Sequence, residues 1–274
     1  MKTVGKLRIR RHSSTGPKVI VLHGGPGAIG SAEELARGLS DTFSAIEPWQ
    51  RGSGGDEPLT VARHVEDLHD VVQSVRTSQP PALVGESWGA MLALAYAAEH
   101  PSSAGPIVLV GCGTFDRKSR ALGAKIREER IGEYIAKHPQ HTADLDLRLN
   151  DRIMKWHEMT DSFDPMPSAS PTRSEPVDMK AHTETWEDLV RCQEIGLYPK
   201  AFSAINSPVI MLHGSYDPHP GKMIRDSLKS YLPQLEYREF EKCGHNPAIE
   251  KFARDTYFVA IREWLAYNMS LSAK

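Results

Sequence analysis

Short apolar runs separated by segments of helical periodicity set the rhythm of the first 110 residues. Val4 to Arg11 alternates apolar and polar positions (Val4, Leu7 and Ile9 against Lys6, Arg8 and Arg10), the pattern of an antiparallel edge strand. Lys18 to Leu22 is a continuous apolar run, which predicts a strand buried on both faces. A short helix is expected over Glu33 to Leu39 and a further strand over Phe43 to Glu47. Between Thr60 and Thr77 the apolar residues Val61, Val65, Leu68, Val71, Val72 and Val75 recur at helical spacing, with Thr60 placed to cap the first turn. Pro81 to Val84 is again apolar, Ala90 to Glu99 favours helix, and Pro106 to Val110 supplies one more buried strand. Strands alternating with helices imply a parallel sheet with helices on both faces, an α/β fold.

The rhythm then breaks. From Phe115 to Asn206 no convincing strand occurs. Arg117 to Ala136 and Thr142 to Met159 are charged and helix-favouring, Asp164 to Pro176 is rich in proline and serine, and Met179 to Ile195 is helical again. About ninety residues are too many for a simple connection, so residues 115–206 are expected to form a helical lid inserted in a core made of 1–114 and 207–274. The core pattern returns with a strand at Pro208 to Leu212, a helix at Gly221 to Tyr231, a strand at Leu235 to Phe240 and a terminal helix from Pro247 to Asn268.

Composition narrows the function classes. A chain of 274 residues, 40% hydrophobic, is long enough to bury a large core. Its 33 basic and 35 acidic residues leave a net charge of −2, which argues against a role resting on nucleic-acid or membrane-surface attraction. No apolar run approaches the roughly 20 residues needed to cross a bilayer, and Met1 to His12 lacks the apolar region and cleavage site of a secretory signal. Cys112, Cys192 and Cys243 are scattered, which suggests a reducing compartment; the expected location is cytoplasmic. Nothing in the chain indicates an oligomeric state.

The chemistry centres on Gly85-Glu86-Ser87-Trp88-Gly89, placed between a strand and a helix. A serine hydroxyl is a weak nucleophile and must stand clear of the backbone; a sharp strand-to-helix turn presents it at the edge of the sheet near the positive helix end. Gly85 and Gly89 suit a place where strand and helix crowd each other. Ser87 then needs a base and a group to orient that base. Loops after later strands of the same sheet offer both: Asp217 in His213-Gly214-Ser215-Tyr216-Asp217-Pro218, and His245 in Glu241-Lys242-Cys243-Gly244-His245-Asn246-Pro247. Asp217 is preferred to Asp56, Asp67 and Asp116 because it follows the penultimate strand. For the oxyanion of an acyl-transfer reaction, the expected donors are the backbone N–H groups of Trp88 and of Gly25, the latter in the Gly24-Gly25-Pro26-Gly27 turn.

Other chemistries fit less well. His213, His219 and His245 match no zinc-ligand spacing, so no metal site is expected. Neither glycine run ends in the Gly-Lys-Ser/Thr of a phosphate loop. Cys243 lies two residues before His245, but Ser87 already holds the turn.

These residues resemble the α/β-hydrolase superfamily, over nearly the whole chain. His23-Gly24-Gly25-Pro26-Gly27 together with Gly85-Glu86-Ser87-Trp88-Gly89 is similar to its proline iminopeptidase branch. The chain departs from that branch at Trp49, which stands where an aspartate precedes Gln50-Arg51-Gly52-Ser53-Gly54, and at Glu86, which replaces the second elbow glycine. The resemblance implies an α/β-hydrolase fold, a mostly parallel sheet flanked by helices with an inserted helical lid, and an enzyme needing no cofactor. It also implies acidic lid residues that bind a substrate's free amino group; Glu184, Glu187, Asp188 and Glu194 lie in the corresponding segment, and none matches the branch residue by residue. The expected function is a serine hydrolase acting on a small ester, amide or other acyl substrate, small molecule or short peptide. The alternatives are an aminopeptidase releasing an N-terminal residue such as proline, and a catalytically silent member of the fold that binds a ligand.

Overall fold

A computed structural model of the chain describes residues 2–140, 160–166 and 176–271. Its spine is an eight-stranded sheet in the order β1-β2-β4-β3-β5-β6-β7-β8. These strands are β1 (Lys2–Val4), β2 (Leu7–Arg11), β3 (Lys18–Leu22), β4 (Ser44–Trp49), β5 (Ala82–Glu86), β6 (Ile107–Val110), β7 (Val209–Gly214) and β8 (Leu235–Phe240). β1 and β2 pair antiparallel at one edge, β2 pairs antiparallel with β4, and every other pairing is parallel.

The central strands β3 to β7 are largely apolar because both faces of the sheet are covered there, whereas β1, β2 and β8 alternate with exposed charged residues. Alternate residues enter opposite layers. Ile20, Leu22, Leu83, Ile107, Leu109 and Met211 pack with α2 (Val61–Val75), α3 (Trp88–Glu99) and α6 (Gly221–Lys229). Their neighbours Val19, Val21, Val84, Val108, Val110 and Leu212 pack with α1 (Glu33–Leu39) and α7 (Arg254–Leu271). α3 is buried nearly all round, which explains its alanine-rich sequence between β5 and α2. Between β6 and β7 the described residues form α4 (Arg117–Lys137), α5 (Met179–Glu194) and a short 3₁₀ helix at Lys200–Ala204. The helix expected at Thr142 to Met159 and most of the Asp164–Pro176 piece lie outside the described residues.

Several boundaries shift by a few residues, the strand expected at Pro208 to Leu212 running Val209–Gly214 and the helix expected at Gly221 to Tyr231 ending at Lys229; three differences have a clear physical reason. The Val4–Arg11 strand is a hairpin of β1 and β2, turned at Gly5, whose φ of 52° suits glycine. β4 runs on through Pro48 to Trp49 because beyond Ile46 it pairs only with β2, where a missing N–H on its other side costs nothing. The final helix begins at Arg254 rather than Pro247. Residues 247–253 are held as turns instead, because the buried Glu250 carboxylate accepts N–H bonds from Phe163 at 2.8 Å, Asp164 at 2.9 Å and Gly244 at 3.0 Å.

Candidate active site

Ser87 caps the N-terminus of α3 with φ 54° and ψ −113°, a backbone conformation that only a tightly constrained turn holds in a non-glycine residue. The constraint is visible on both sides. A Cβ on Gly85 would collide with the Gly89 carbonyl, and one on Gly89 with the Leu22 carbonyl, so both positions admit only glycine. The Ser87 N–H donates to Val110 O at 2.8 Å, fastening the turn to the end of β6. The Ser87 side chain makes no capping bond to α3, so its hydroxyl is not consumed by the helix.

The loops after β7 and β8 meet beside it. His245 Nδ1 lies 2.8 Å from Asp217 Oδ2, and a Cβ on Gly111, the residue after β6, would come within 3.0 Å of His245 Nδ1. Ser87 and His245 are thus both set against the same Val110–Gly111 strand end. Asp217 is completely shielded, and its surroundings are histidines: His219 Nδ1 at 2.9 Å from Oδ1, the His219 backbone N–H at 2.8 Å from the same oxygen, and His213 Nε2 at 3.3 Å from Oδ2. Burial alone would raise the Asp217 pKa; the three histidines and their hydrogen bonds outweigh it and hold the carboxyl well below its ordinary value. For His245 burial works in the opposite sense, lowering its pKa, but the charge and hydrogen bond of Asp217 prevail, helped by Asp161 and Glu86, and the pKa is raised. The His245 backbone is also pinned: its N–H donates to Asp161 O at 2.6 Å.

Gly24 and Gly25 lie on the other side of the serine. A Cβ on Gly24 would stand 3.1 Å from that of Ser87, and Gly25 has φ 41°. Trp88, buried at the start of α3, places its backbone N–H among the free donors of the first helical turn. The structure therefore brings Ser87, Gly25, Trp88, Asp217 and His245 to one end of the parallel sheet.

It also brings in residues that the sequence reading passed over. Gln50 joins the elbow to the glycine turn: its side-chain oxygen accepts from Trp88 Nε1 at 2.6 Å, its Nε2 donates to His23 O at 3.0 Å, and its backbone N–H donates to His23 Nε2 at 3.1 Å. His219, whose spacing matches no zinc-ligand pattern, lies against Asp217, and one ligand atom from each of Asp217, His219 and His245 falls within a 4.8 Å group. The Nδ1 atoms of both imidazoles are engaged with the carboxylate, and the other His219 nitrogen faces the Arg127 guanidinium at 3.3 Å, an arrangement suited to protons and poorly suited to a cation.

The acidic residues of α5 are placed otherwise than an amine-binding role would ask. Glu184 accepts from the Leu59 N–H at 2.9 Å and Asp188 from the Val61 N–H at 2.8 Å, fixing the start of α2, while Glu187 and Glu194 are exposed. A cavity of about 710 Å³ opens between α4 and α5, lined among others by Phe115, Arg120, Val190 and Gln193, and none of its lining residues is Ser87, Asp217 or His245. No helix among the described residues is long and apolar enough to cross a membrane.

Comparison with known proteins identifies the family and the fold. The model of the alpha/beta hydrolase fold family matches residues 17–252. A proline iminopeptidase of Lactobacillus helveticus is 27% identical over 283 residues, covering 94% of this chain and 92% of that protein. Among solved structures, a thermophilic esterase of Thermogutta terrifontis superposes with a TM-score of 0.63 at 20% identity, covering 95% of this chain and 93% of its own. The proline iminopeptidase of Mycobacterium smegmatis gives 0.65 at 17% identity, covering 100% and 99%. At these identities the two structures speak for the fold.

Proposed function

Because the chain belongs to the α/β-hydrolase fold family, we propose that it is a serine hydrolase in which Ser87, His245 and Asp217 act as nucleophile, base and orienting carboxylate on a small acyl substrate. The observation that supports this most is the strained Ser87 turn facing the strand end on which the Asp217–His245 pair sits. Ser87 Oγ attacks the acyl carbon while His245 Nε2 takes its proton. The developing oxyanion is met by the N–H groups of Trp88 and Gly25, which the turn geometry orients before the substrate arrives. Collapse of the tetrahedral species returns the proton from His245 to the departing alcohol or amine and leaves an acyl-serine. Water, deprotonated by the same histidine, then releases the acid and restores Ser87. These steps need no cofactor. Residues 115–206, with α4 and α5, serve in this reading as the lid over the site. The three unpaired, buried cysteines fit a reducing compartment such as the cytoplasm.

A second reading is favoured by the relative from Lactobacillus helveticus, whose match spans nearly the full length of both chains: an aminopeptidase that removes N-terminal proline. The engagement of Glu184 and Asp188 with the backbone of Leu59 and Val61 weighs against these two as its amine-binding groups.

One panel tests both. Wild type and Ser87→Ala are assayed on p-nitrophenyl acetate, on proline p-nitroanilide and on its N-acetyl form, with circular dichroism to confirm folding. Loss of at least about a thousandfold in kcat on Ser87→Ala is expected; an unchanged rate overturns the serine-hydrolase reading. Preference for the free over the acetylated prolyl anilide supports the aminopeptidase, and equal rates remove it.

A further inference from the structure

The proposed triad contains one acid–base pair, yet Asp217 is surrounded by three histidines, and the function of the other two is open. Donor and acceptor chemistry fixes their states. Arginine has only N–H donors, so the His219 Nε2 that lies 3.3 Å from Arg127 Nη2 must carry the lone pair. His219 Nδ1 then carries the proton and donates it to Asp217 Oδ1. His213 Nε2 lies 2.9 Å from the His219 carbonyl, which can only accept, so it is an N–H as well and leans on Oδ2 from 3.3 Å. Arg127 is itself held, through Nε and Nη2 to the two carboxylate oxygens of Asp161 at 3.2 and 3.5 Å. Asp161 is the residue whose backbone oxygen holds the His245 N–H, and Arg130 donates to the neighbouring Thr160 O at 2.6 Å.

Resting on the serine-hydrolase reading above, we propose that His219 is a positioning residue for the triad: as the neutral Nδ1–H tautomer set by Arg127, it occupies Asp217 Oδ1 and leaves Oδ2 to His245. Without it the carboxylate has a choice of oxygens for His245 and the imidazole loses its single orientation. The arrangement has an electrostatic consequence too. Each N–H given to Asp217 spreads its charge away from His245, so His219 restrains how strongly the carboxylate favours the imidazolium. Burial keeps His219 from being a cation, its pKa being lowered despite Asp217 and further by Arg127. Arg127 lies in α4, outside the strand-and-helix core, so the tautomer of a residue touching the triad is set from the segment between β6 and β7.

The charged groups that act on the His245 proton are Asp217 on the loop after β7, Asp161 from the β6–β7 segment and Glu86 beside Ser87; around them stand His213 of β7 and His219 against Asp217, Arg127 against Asp161, and Arg130 near both carboxylates. A test must therefore change His219 with the others in place. His219→Ala and His219→Asn separate donor from bulk, because the asparagine amide presents an N–H where Nδ1 stood and alanine presents none. The alanine variant is expected to lose roughly tenfold in kcat with KM little changed, and its acidic limb is expected to move to higher pH as the charge on Asp217 concentrates on His245. The asparagine variant is expected to recover most of the rate and the wild-type limb. Arg127→Met, which releases the tautomer and leaves His219 in place, is expected to shift the limb in the same upward direction and supplies the test if His219→Ala does not fold.

Equal behaviour of the alanine and asparagine variants, or an alanine variant within twofold of wild type with its limb unmoved, overturns the proposal. Fluorophosphonate labelling keeps the two readings apart: a wild type that is not labelled at Ser87 sinks the serine-hydrolase reading itself. Imidazole nitrogen NMR near neutral pH is independent of turnover. It is expected to show His219 neutral and protonated at Nδ1, and an Nε2–H tautomer or an imidazolium there overturns the proposal.

Discussion

His245 is buried against a carboxylate, and two opposed effects act on its proton. Burial disfavours the imidazolium; Asp217 favours it and wins, so the pKa lies above the ordinary value of about 6.5. The sign for catalysis follows. In the proposed mechanism His245 is the base, and a base must be unprotonated to take the Ser87 proton, so kcat/KM is expected to rise as pH rises through the His245 pKa. From sequence alone, a histidine base implies a rise near the ordinary range; the fully shielded Asp217 moves it upward. The pH profile of wild type on a neutral ester is expected to have its acidic midpoint above 6.5, still climbing at pH 7. A midpoint below 6, or a rate flat from pH 5 to 8, contradicts His245 as the base. Asp217 itself stays ionised throughout that range, since its pKa is depressed. Its contribution to stability is present above the ordinary carboxylate range and is lost only as pH falls through its lower folded value.

The turn from Gly244 to Ala253 positions His245, and it does so without regular structure. Its anchor is Glu250, whose carboxylate collects the N–H groups of Phe163, Asp164 and Gly244, one residue before the histidine. Removing it by Glu250→Ala strands three amides. At 1–3 kcal/mol for each buried unsatisfied group, with partial rescue by water, the loss is roughly 2–4 kcal/mol. For a chain of this length that is a fall in Tm of about 4–8 °C. Differential scanning calorimetry checks it, and a Tm within 1 °C of wild type refutes the assignment. This turn also marks the limit of what sequence could reveal. Apolar runs marked the central strands β3, β5, β6 and β7, because burial on both faces writes itself as consecutive Val, Ile and Leu; β8, half-exposed, reads as Leu-Glu-Tyr-Arg-Glu-Phe. Ser87 was legible from two glycines that backbone crowding demands, and Asp217 and His245 from following the strands that deliver their loops. Gln50, Glu250, Asp161 and His219 were not. Each depends on a hydrogen bond to a residue far along the chain, Gln50 to Trp88 over 38 positions, Glu250 to Phe163 over 87, Asp161 to Arg127 over 34 and His219 to Arg127 over 92, and such bonds leave no period or spacing. The same logic misled over Pro247, where a helix-compatible stretch is held as turns by a buried carboxylate.

The segment between β6 and β7 meets the site-bearing end of the sheet at Asp178. The Asp178 carboxylate caps α5 through the Ala181 N–H at 3.0 Å, and the same group takes the Ser53 N–H at 2.6 Å and the Ser53 hydroxyl at 2.8 Å. Its backbone N–H donates to Gly27 O at 3.0 Å, and Gly27, at φ 82°, has no room for a Cβ against the Asp178 carbonyl. One residue thus joins α5, the loop after β4 and the glycine turn that holds Gly25. Burial would raise its pKa, but the bonds from Ala181 and Ser53 lower it, so the tie is ionic and persists below neutrality. Asp178→Ala removes the cap and both Ser53 bonds, at a cost of roughly 2–4 kcal/mol shared between α5 and the two loops. The loosening should be local. Hydrogen exchange is expected to quicken in the peptides around Gly24–Ala28, Arg51–Gly55 and the first turn of α5, with β5 and α3 unchanged. Because Gly25 sits in one of these loops and Ser87, Asp217 and His245 in none, fluorophosphonate labelling of Ser87 should persist while kcat on esters falls. Exchange that rises evenly across the sheet would show a general loss of stability and remove Asp178 as the joint between the two parts.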